Sequence, residues 1–172
     1  VPTGVYPAES AIGRAITSTA GPSVAYPVVE VMGETVLSDP TNRQVAAAFG
    51  AVVDVTDTVF DLAVVGAGPA GLGAAVYAAS EGLSTLIVEA EAFGGQAGTS
   101  SMIRNYLGFP DGITGRQLGR RAILQATRFG AALDLARSVT ALEVGAPLQL
   151  EVSDGAVATA HSVLLACGVA YR

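Results

Sequence analysis

The chain has one cysteine, Cys167, and one histidine, His161, among its 172 residues. A single thiol excludes an internal disulfide framework and leaves no Cys-x-x-Cys redox pair in the sequence, and it suits a reducing cytoplasm. Basic residues are scarce, nine Lys and Arg against fifteen Asp and Glu, for a formal net charge of −6. With no basic stripe to neutralise phosphates, the balance argues against nucleic acid as a partner. The one apolar stretch of membrane-spanning length, about residues 60–80, is broken by Asp61 and by glycines. A glycine turn accounts for it better than a bilayer does, so no membrane partner is expected. The first residue is Val1, so the lack of a leader excludes nothing about targeting. What is plentiful is apolar residues, 51% of the chain, enough for one well-cored domain and a smaller piece.

The stretch that organises the rest is V-F-D-L-A-V-V-G-A-G-P-A-G-L-G-A-A, residues 59–75. Residues 60–65 are a short apolar run suited to a strand buried on both faces. Gly66-Ala67-Gly68-Pro69-Ala70-Gly71 supplies the G-x-G-x-x-G spacing, followed by an alanine-rich helix. In a dinucleotide fingerprint the first glycine makes the tight turn, the second admits a pyrophosphate close to the backbone, and the third packs helix on strand; the helix N-terminus faces the anion. Leu72, Ala75, Val76 and Ala79 form a stripe toward the sheet. Residues 84–88 read as a second buried strand ending in Glu89, about 20 residues past the glycines, where a carboxylate accepts hydrogen bonds from an adenosine ribose. The plainer alternative is a glycine turn in an ordinary βαβ unit.

Upstream, residues 1–23 are rich in Pro, Gly, Ser, Thr and Ala and are expected to be loosely structured, apart from a short periodic segment over 9–16. Residues 24–32 read as a strand, Gly33-Glu34 as a turn and 35–37 as the returning strand. Asp39 or Thr41 is placed to cap a helix over 42–49, ended by Gly50. That hairpin and helix cannot bury their apolar face alone. Residues 51–58 are expected to be a linker.

Downstream, residues 90–114 form a long connection. Phe93-Gly94-Gly95-Gln96 puts two glycines before an amide at the carboxyl end of a strand, where ligands sit in open parallel sheets. Backbone there can pass close to a flat ring, and Gln96 can offer a donor and an acceptor to its edge. Asn105 is a second such amide. A surface loop with both amides facing water fits the same residues equally well. A helix is expected over 115–129, with Leu118, Ala122, Ala126 and Phe129 buried and Arg116, Arg120 and Thr127 on the solvated side. Strands follow over 131–135, 140–144, 148–152, 156–160 and 162–166, with hairpin signals at Gly145-Ala146-Pro147 and Asp154-Gly155. His161 then falls in a turn between meander and last strand. Cys167 reads as a packed small side chain at a strand end. No side chain presents itself as a catalytic acid, base or nucleophile, and no metal site is expected.

These motifs together resemble the low-molecular-weight thioredoxin reductases, within the pyridine nucleotide–disulfide oxidoreductases. The residues that carry the resemblance are 61–75, Tyr77-Ala78-Ala79, Gly94-Gly95-Gln96, Asn105-Tyr106-Leu107-Gly108-Phe109-Pro110, Gly115 and Phe129-Gly130. Leu164-Leu165-Ala166-Cys167-Gly168 is similar to that family's Ala-Thr-Gly strand end. The resemblance spans about residues 60–172 and implies the first segment of an FAD-binding domain. The fold implied is α/β, a Rossmann-like parallel sheet with a three-stranded antiparallel meander insertion, here incomplete. It implies that Gly66, Gly68, Pro69, Ala70 and Gly71 hold the FAD pyrophosphate, Pro69 favouring FAD over NAD, and that Glu89 holds the adenosine ribose. It places Gly94, Gly95, Gln96 and Asn105 on the flavin side, backbone near Val139 beside the adenine, and Ala166 at the cofactor end of the last strand. Residues 24–50 are similar to the end of a thioredoxin-like module that precedes the reductase in fusion members.

Departures from the family pattern matter as much. The family inserts its NADPH-binding domain, with its Cys-x-x-Cys, after the Ala-Thr-Gly strand, and closes the FAD domain with a later Gly-Asp segment. Neither is in these 172 residues, and Cys167 stands where Thr is usual, removing a hydroxyl near the cofactor. The expectation is a fragment of a homodimeric parent that passes electrons from NADPH through FAD to a disulfide or another acceptor. Two alternatives stay open: a non-catalytic dinucleotide-binding fragment, and an NAD-dependent dehydrogenase domain.

Overall fold

Two units divide the chain, Val1–Ala51 and Val52–Arg172; the computed structural model describes residues 5–21, 23–31, 35–48, 50–51 and 55–169. In the first, the expectation of loose chain over 1–23 is corrected at Ala11–Ala20, which forms helix α1. Ser10 caps it, its Oγ accepting from the Gly13 N–H at 3.0 Å. The hydroxyls of Thr17, Ser18 and Thr19, which read as loop formers, donate to carbonyls one turn back, so residues that compete with helix in open chain are accommodated inside one.

Strands β1 (Val28–Val31) and β2 (Thr35–Ser38) pair antiparallel, Val28 opposite Ser38 and Val31 opposite Thr35. Met32, Gly33, Glu34 and Phe49, which the expected hairpin and helix include, lie outside the described residues. Helix α2 covers Asn42–Ala48. Of the two capping candidates it is Thr41 that serves. Its N–H donates to Gln44 Oε1 at 2.8 Å and its Oγ1 accepts from the Gln44 N–H at 3.3 Å, a reciprocal capping box. Helix α1 packs on both strands and α2 on β1, which gives the hairpin the cover it lacks alone.

The second unit is a six-stranded sheet in the order β5-β4-β3-β8-β7-β6. Its strands are β3 (Val59–Val65), β4 (Thr85–Glu89), β5 (Ala132–Leu135), β6 (Val139–Glu143), β7 (Leu148–Val152) and β8 (Val157–Leu165). Strands β5, β4, β3 and β8 run parallel; β7 is antiparallel to β8, and β6 to β7. This is the expected Rossmann-like sheet with its antiparallel meander. Leu86, Ile87 and Val88 of β4 are buried, as befits a parallel strand covered on both faces. The core gathers Phe60, Ala63, Leu86 and Val88 of β3 and β4 with Leu150 and Val152 of β7 and Ala158 and Ala160 of β8. Each Leu or Val among them contributes about 1.5–3 kcal/mol by leaving water. Val55, expected in a linker, belongs to this core.

Helix α3 (Pro69–Ser80) packs on β3, β4 and α4 (Gly115–Arg128). Of the expected α3 stripe, Leu72, Ala75 and Ala79 are buried and Val76 is half-buried. In α4 the expected face holds at Leu118 and Ala126, which are buried, and at half-buried Ala122, and is corrected at Phe129. Phe129 is the C-cap and is 49% exposed, while Ile123 is buried together with Gly115, Leu118, Gly119 and Ala126. The two glycines pull the helix in. A Cβ on Gly115 would overlap the Ala97 carbonyl, and one on Gly119 would lie 3.0 Å from the Gly94 Cα, so the close approach of α4 to residues 94–98 depends on both glycines.

His161 is corrected too. The expected 156–160 and 162–166 strands are one continuous strand, β8, with His161 exposed in its middle. Residues 157–160 pair with β7 on one edge and 159–165 with β3 on the other, so two sets of ladder bonds overlap and no turn intervenes.

Candidate functional site

Strand β3 is the point at which the sheet's winding reverses, with β4 on one side and β8 on the other, and crevices at such points receive ligands in open α/β sheets. The chain leaves β3 through Gly66, whose φ of +105° admits only glycine readily. A Cβ there would overlap the carbonyl of Ala166, just past the end of β8. The Ala166 N–H in turn donates to the Val65 carbonyl at 2.8 Å. Gly71 fits against the same turn, where a Cβ would overlap the Gly66 carbonyl and press on Val64 at 3.2 Å. Gly68 caps α3 and Pro69 occupies its first turn. A Cβ on Gly68 would meet nothing within 4 Å, so the side-chain direction of Gly68 is open. Ala70 is exposed beside it.

Glu89, half-buried at the end of β4, reaches this turn. Its Oε2 accepts from the Ala67 N–H at 2.6 Å and its Oε1 from the Glu91 N–H at 2.9 Å. The Gly94 N–H donates to the Ala67 carbonyl at 2.7 Å, and the site of a Gly95 Cβ is 3.3 Å from the Gly68 Cα. The Gly-Gly-Gln loop is therefore joined to the glycine turn by backbone alone. Exposed Gln96 donates through Nε2 to the Val169 carbonyl, beyond the end of β8. Gly66, Gly68, Pro69, Gly71, Glu89, Gly94, Gly95 and Ala166 thus meet at one sheet end.

Asn105 and Val139 stand differently. Asn105 is exposed on an arm closed at its base by a pair of hydrogen bonds between Ile103 and Ile113. Among the described residues no hydrogen bond joins Asn105 to the turn. On the same arm Phe109 lies under the Arg121 guanidinium at 5.6 Å and beside Tyr106. Val139 is half-buried at the start of β6 and packs on the core. Two residues before it, the Arg137 N–H donates to the Glu89 carbonyl at 3.2 Å, so this connection lies along the end of β4.

Cys167 is exposed rather than packed, because β8 ends at Leu165 and the chain beyond runs along the surface. Among the described residues no cluster of three metal-ligating side chains occurs, and no helix is long and apolar enough to cross a membrane.

Sequence reasoning missed Arg137. It is 7% exposed and faces Asp134, 1% exposed, at 3.4 Å and Asp154 at 2.8 Å. The signal was an aspartate in an otherwise apolar strand, Ala-Leu-Asp-Leu, with an arginine three residues on. Toward the start of β3, Asp61 is held below its ordinary 3.8. The Ser84 hydroxyl and backbone N–H each bond its Oδ2 at 2.8 Å, outweighing its desolvation, with a smaller contribution from the charge of His161.

Residues 60–172 match the model of the pyridine nucleotide-disulphide oxidoreductase family. The chain is 38% identical over 120 residues to a thioredoxin reductase of Mycolicibacterium smegmatis, covering 70% of this chain and 38% of that protein. It is 38% identical over 117 residues to a bifunctional thioredoxin reductase/thioredoxin of Mycobacterium leprae, covering 67% of this chain and 25% of that protein. Among solved structures, the thioredoxin reductase from Streptococcus pyogenes superposes with a TM-score of 0.62 at 34% identity, over 66% of this chain and 37% of that one. The chain thus spans well under half the length of the relatives it matches.

Proposed function

The chain belongs to the pyridine nucleotide-disulphide oxidoreductase family, and from that premise we propose that its second unit is the first part of the FAD site of a thioredoxin-reductase-type oxidoreductase. The observation that carries this reading is the Glu89 carboxylate seated on the glycine turn through Ala67. Each of its oxygens has one backbone N–H partner and retains acceptor capacity for a ribose hydroxyl. The residues fit the cofactor. Nothing obstructs the side-chain direction of Gly68, and the first N–H groups and dipole of α3 favour the charge of a diphosphate.

In this reading Gly66, Gly68, Pro69, Ala70 and Gly71 hold the diphosphate and Glu89 the ribose. Gly94 and Gly95 pass backbone along the ring side, and Gln96 and Asn105 offer amides to the ring edge. The connection before Val139 borders the adenine, and Ala166 closes the floor between β3 and β8. Bound FAD supplies the redox chemistry, relaying electrons from NADPH to a disulfide or another acceptor; the chain's own residues bind and orient it. The β6–β7 insertion ahead of β8 favours this over a dehydrogenase, whose βα units alternate more regularly.

One cysteine cannot form a dithiol, so disulfide reduction requires thiols from outside these residues. The 172-residue chain alone is expected to hold FAD weakly and to show no NADPH-dependent disulfide reduction. Equilibrium dialysis against FAD and NAD tests the reading. Weak binding of FAD in preference to NAD, lost in Glu89→Leu, is the expected result. Preference for NAD, or FAD binding indifferent to Glu89, contradicts it.

A further inference from the structure

Ala136 lies between β5 and β6 with φ of +63°, a conformation that costs a residue with a Cβ and persists only where its surroundings impose it. The residue that follows it is held on several sides. The Arg137 guanidinium is nearly enclosed, with Nη1 facing the buried Asp134 carboxylate at 3.4 Å and Nη2 facing Asp154 at 2.8 Å. The connection is also stitched to the β7–β8 turn: the Ser153 N–H donates to the Ser138 carbonyl and the Ser138 N–H to Ser153 Oγ. So fixed, Arg137 aims its backbone N–H at the Glu89 carbonyl. The side chain of that same glutamate is bonded to Ala67 in the glycine turn. A buried guanidinium–carboxylate pair is weak evidence for net stability, and in some proteins such groups serve to fix geometry.

We infer that Arg137 is a positioning residue for the adenosine end of the cleft: clamped by Asp134 and Asp154, it holds the end of β4 so that Glu89 stays on the turn. It touches no ligand itself. The inference rests on the diphosphate-turn reading for its consequence in binding, though the positioning of Glu89 can be observed without any ligand.

Two variants test it. Arg137→Met combined with Asp134→Asn removes the clamp without stranding a buried charge; Asp154→Asn removes the nearer partner at a half-exposed position and decides the question if the double variant does not fold. Amide spectra read the Ala67 N–H directly. It is expected to move upfield in both variants, together with the amides at the end of β4, while those of β3 and of residues 85–87 keep their positions. Titration with ADP and with inorganic pyrophosphate then reads binding. ADP affinity is expected to fall about tenfold, as for one misplaced charge-assisted hydrogen bond, with pyrophosphate affinity unchanged. A folded variant with an unmoved Ala67 resonance overturns the inference, as does an equal loss of both affinities. If the unaltered chain binds neither probe, the diphosphate reading fails, and the Ala67 resonance still decides whether Arg137 positions Glu89.

Discussion

The Oε2 of Glu89 accepts a 2.6 Å hydrogen bond from the N–H of Ala67, tying the end of β4 to the turn that leaves β3. A carboxylate anchored there is oriented before any ligand arrives, and preorganisation of this kind lowers the cost of binding. Glu89→Gln keeps an acceptor for Ala67 and removes the charge. ADP binding by calorimetry is expected to weaken about tenfold, with the melting temperature little changed.

The glycines of the turn separate by what they face. Gly71→Ala forces a Cβ onto the Gly66 carbonyl and is expected to destabilise the fold by about 1–3 kcal/mol, as overpacking does. Gly68→Ala points into open space; the fold should be unaffected while dinucleotide affinity falls. Denaturant midpoints and binding isotherms of the two variants, taken side by side, check the distinction.

At the start of β3, Asp61 gains more from the Ser84 donors when ionised than when protonated. Its folded-state value lies below its ordinary 3.8, so the contribution is fully present above that value and is lost as pH falls through the lower folded value. Ser84→Ala is therefore expected to narrow the loss of stability between pH 5 and pH 2 relative to the unaltered chain, about the range over which such carboxylates protonate. Urea midpoints across that range give the measurement; an unchanged acid slope would show that the Ser84 bonds do not matter.

The seat of the Gly-Gly-Gln loop depends on α4. With the Gly119 Cβ position 3.0 Å from the Gly94 Cα, Gly119→Leu should push the loop off the helix, at a cost of about 1–3 kcal/mol. Amide spectra should locate the disturbance at Gly94, Gly95 and Gln96.

How legible these features were depends on how local their causes are. The turn at residues 66–71 and its acid were readable because each glycine answers a constraint set within a few residues, and because β3, α3 and β4 follow one another directly. Strand β8 was not, since its continuity through His161 comes from β7 on one edge and β3 on the other, partners distant in sequence. Part of the buried face of α4, at Gly115, Gly119 and Ile123, escaped for a related reason. Hydrophobic periodicity sees Phe129, whereas what draws the helix in is the absence of side chains at Gly115 and Gly119. Helix α1 was hidden by hydroxyl residues whose propensity is for turns until their own backbone accepts their protons. The Asp134–Arg137–Asp154 cluster needed the fold to bring Asp154 across from another hairpin. Asn105 shows the limit on the other side. Its motif was conspicuous, yet Asn105 is exposed and, among the described residues, no hydrogen bond joins it to the turn.

The most direct measurement is a crystal structure of the chain soaked with ADP. The account expects the diphosphate within hydrogen-bond reach of the N–H groups at the start of α3, over Gly68, with the ribose hydroxyls on Glu89. Diphosphate density away from the turn, or a ribose that leaves Glu89 bonded only to Ala67 and Glu91, would contradict it.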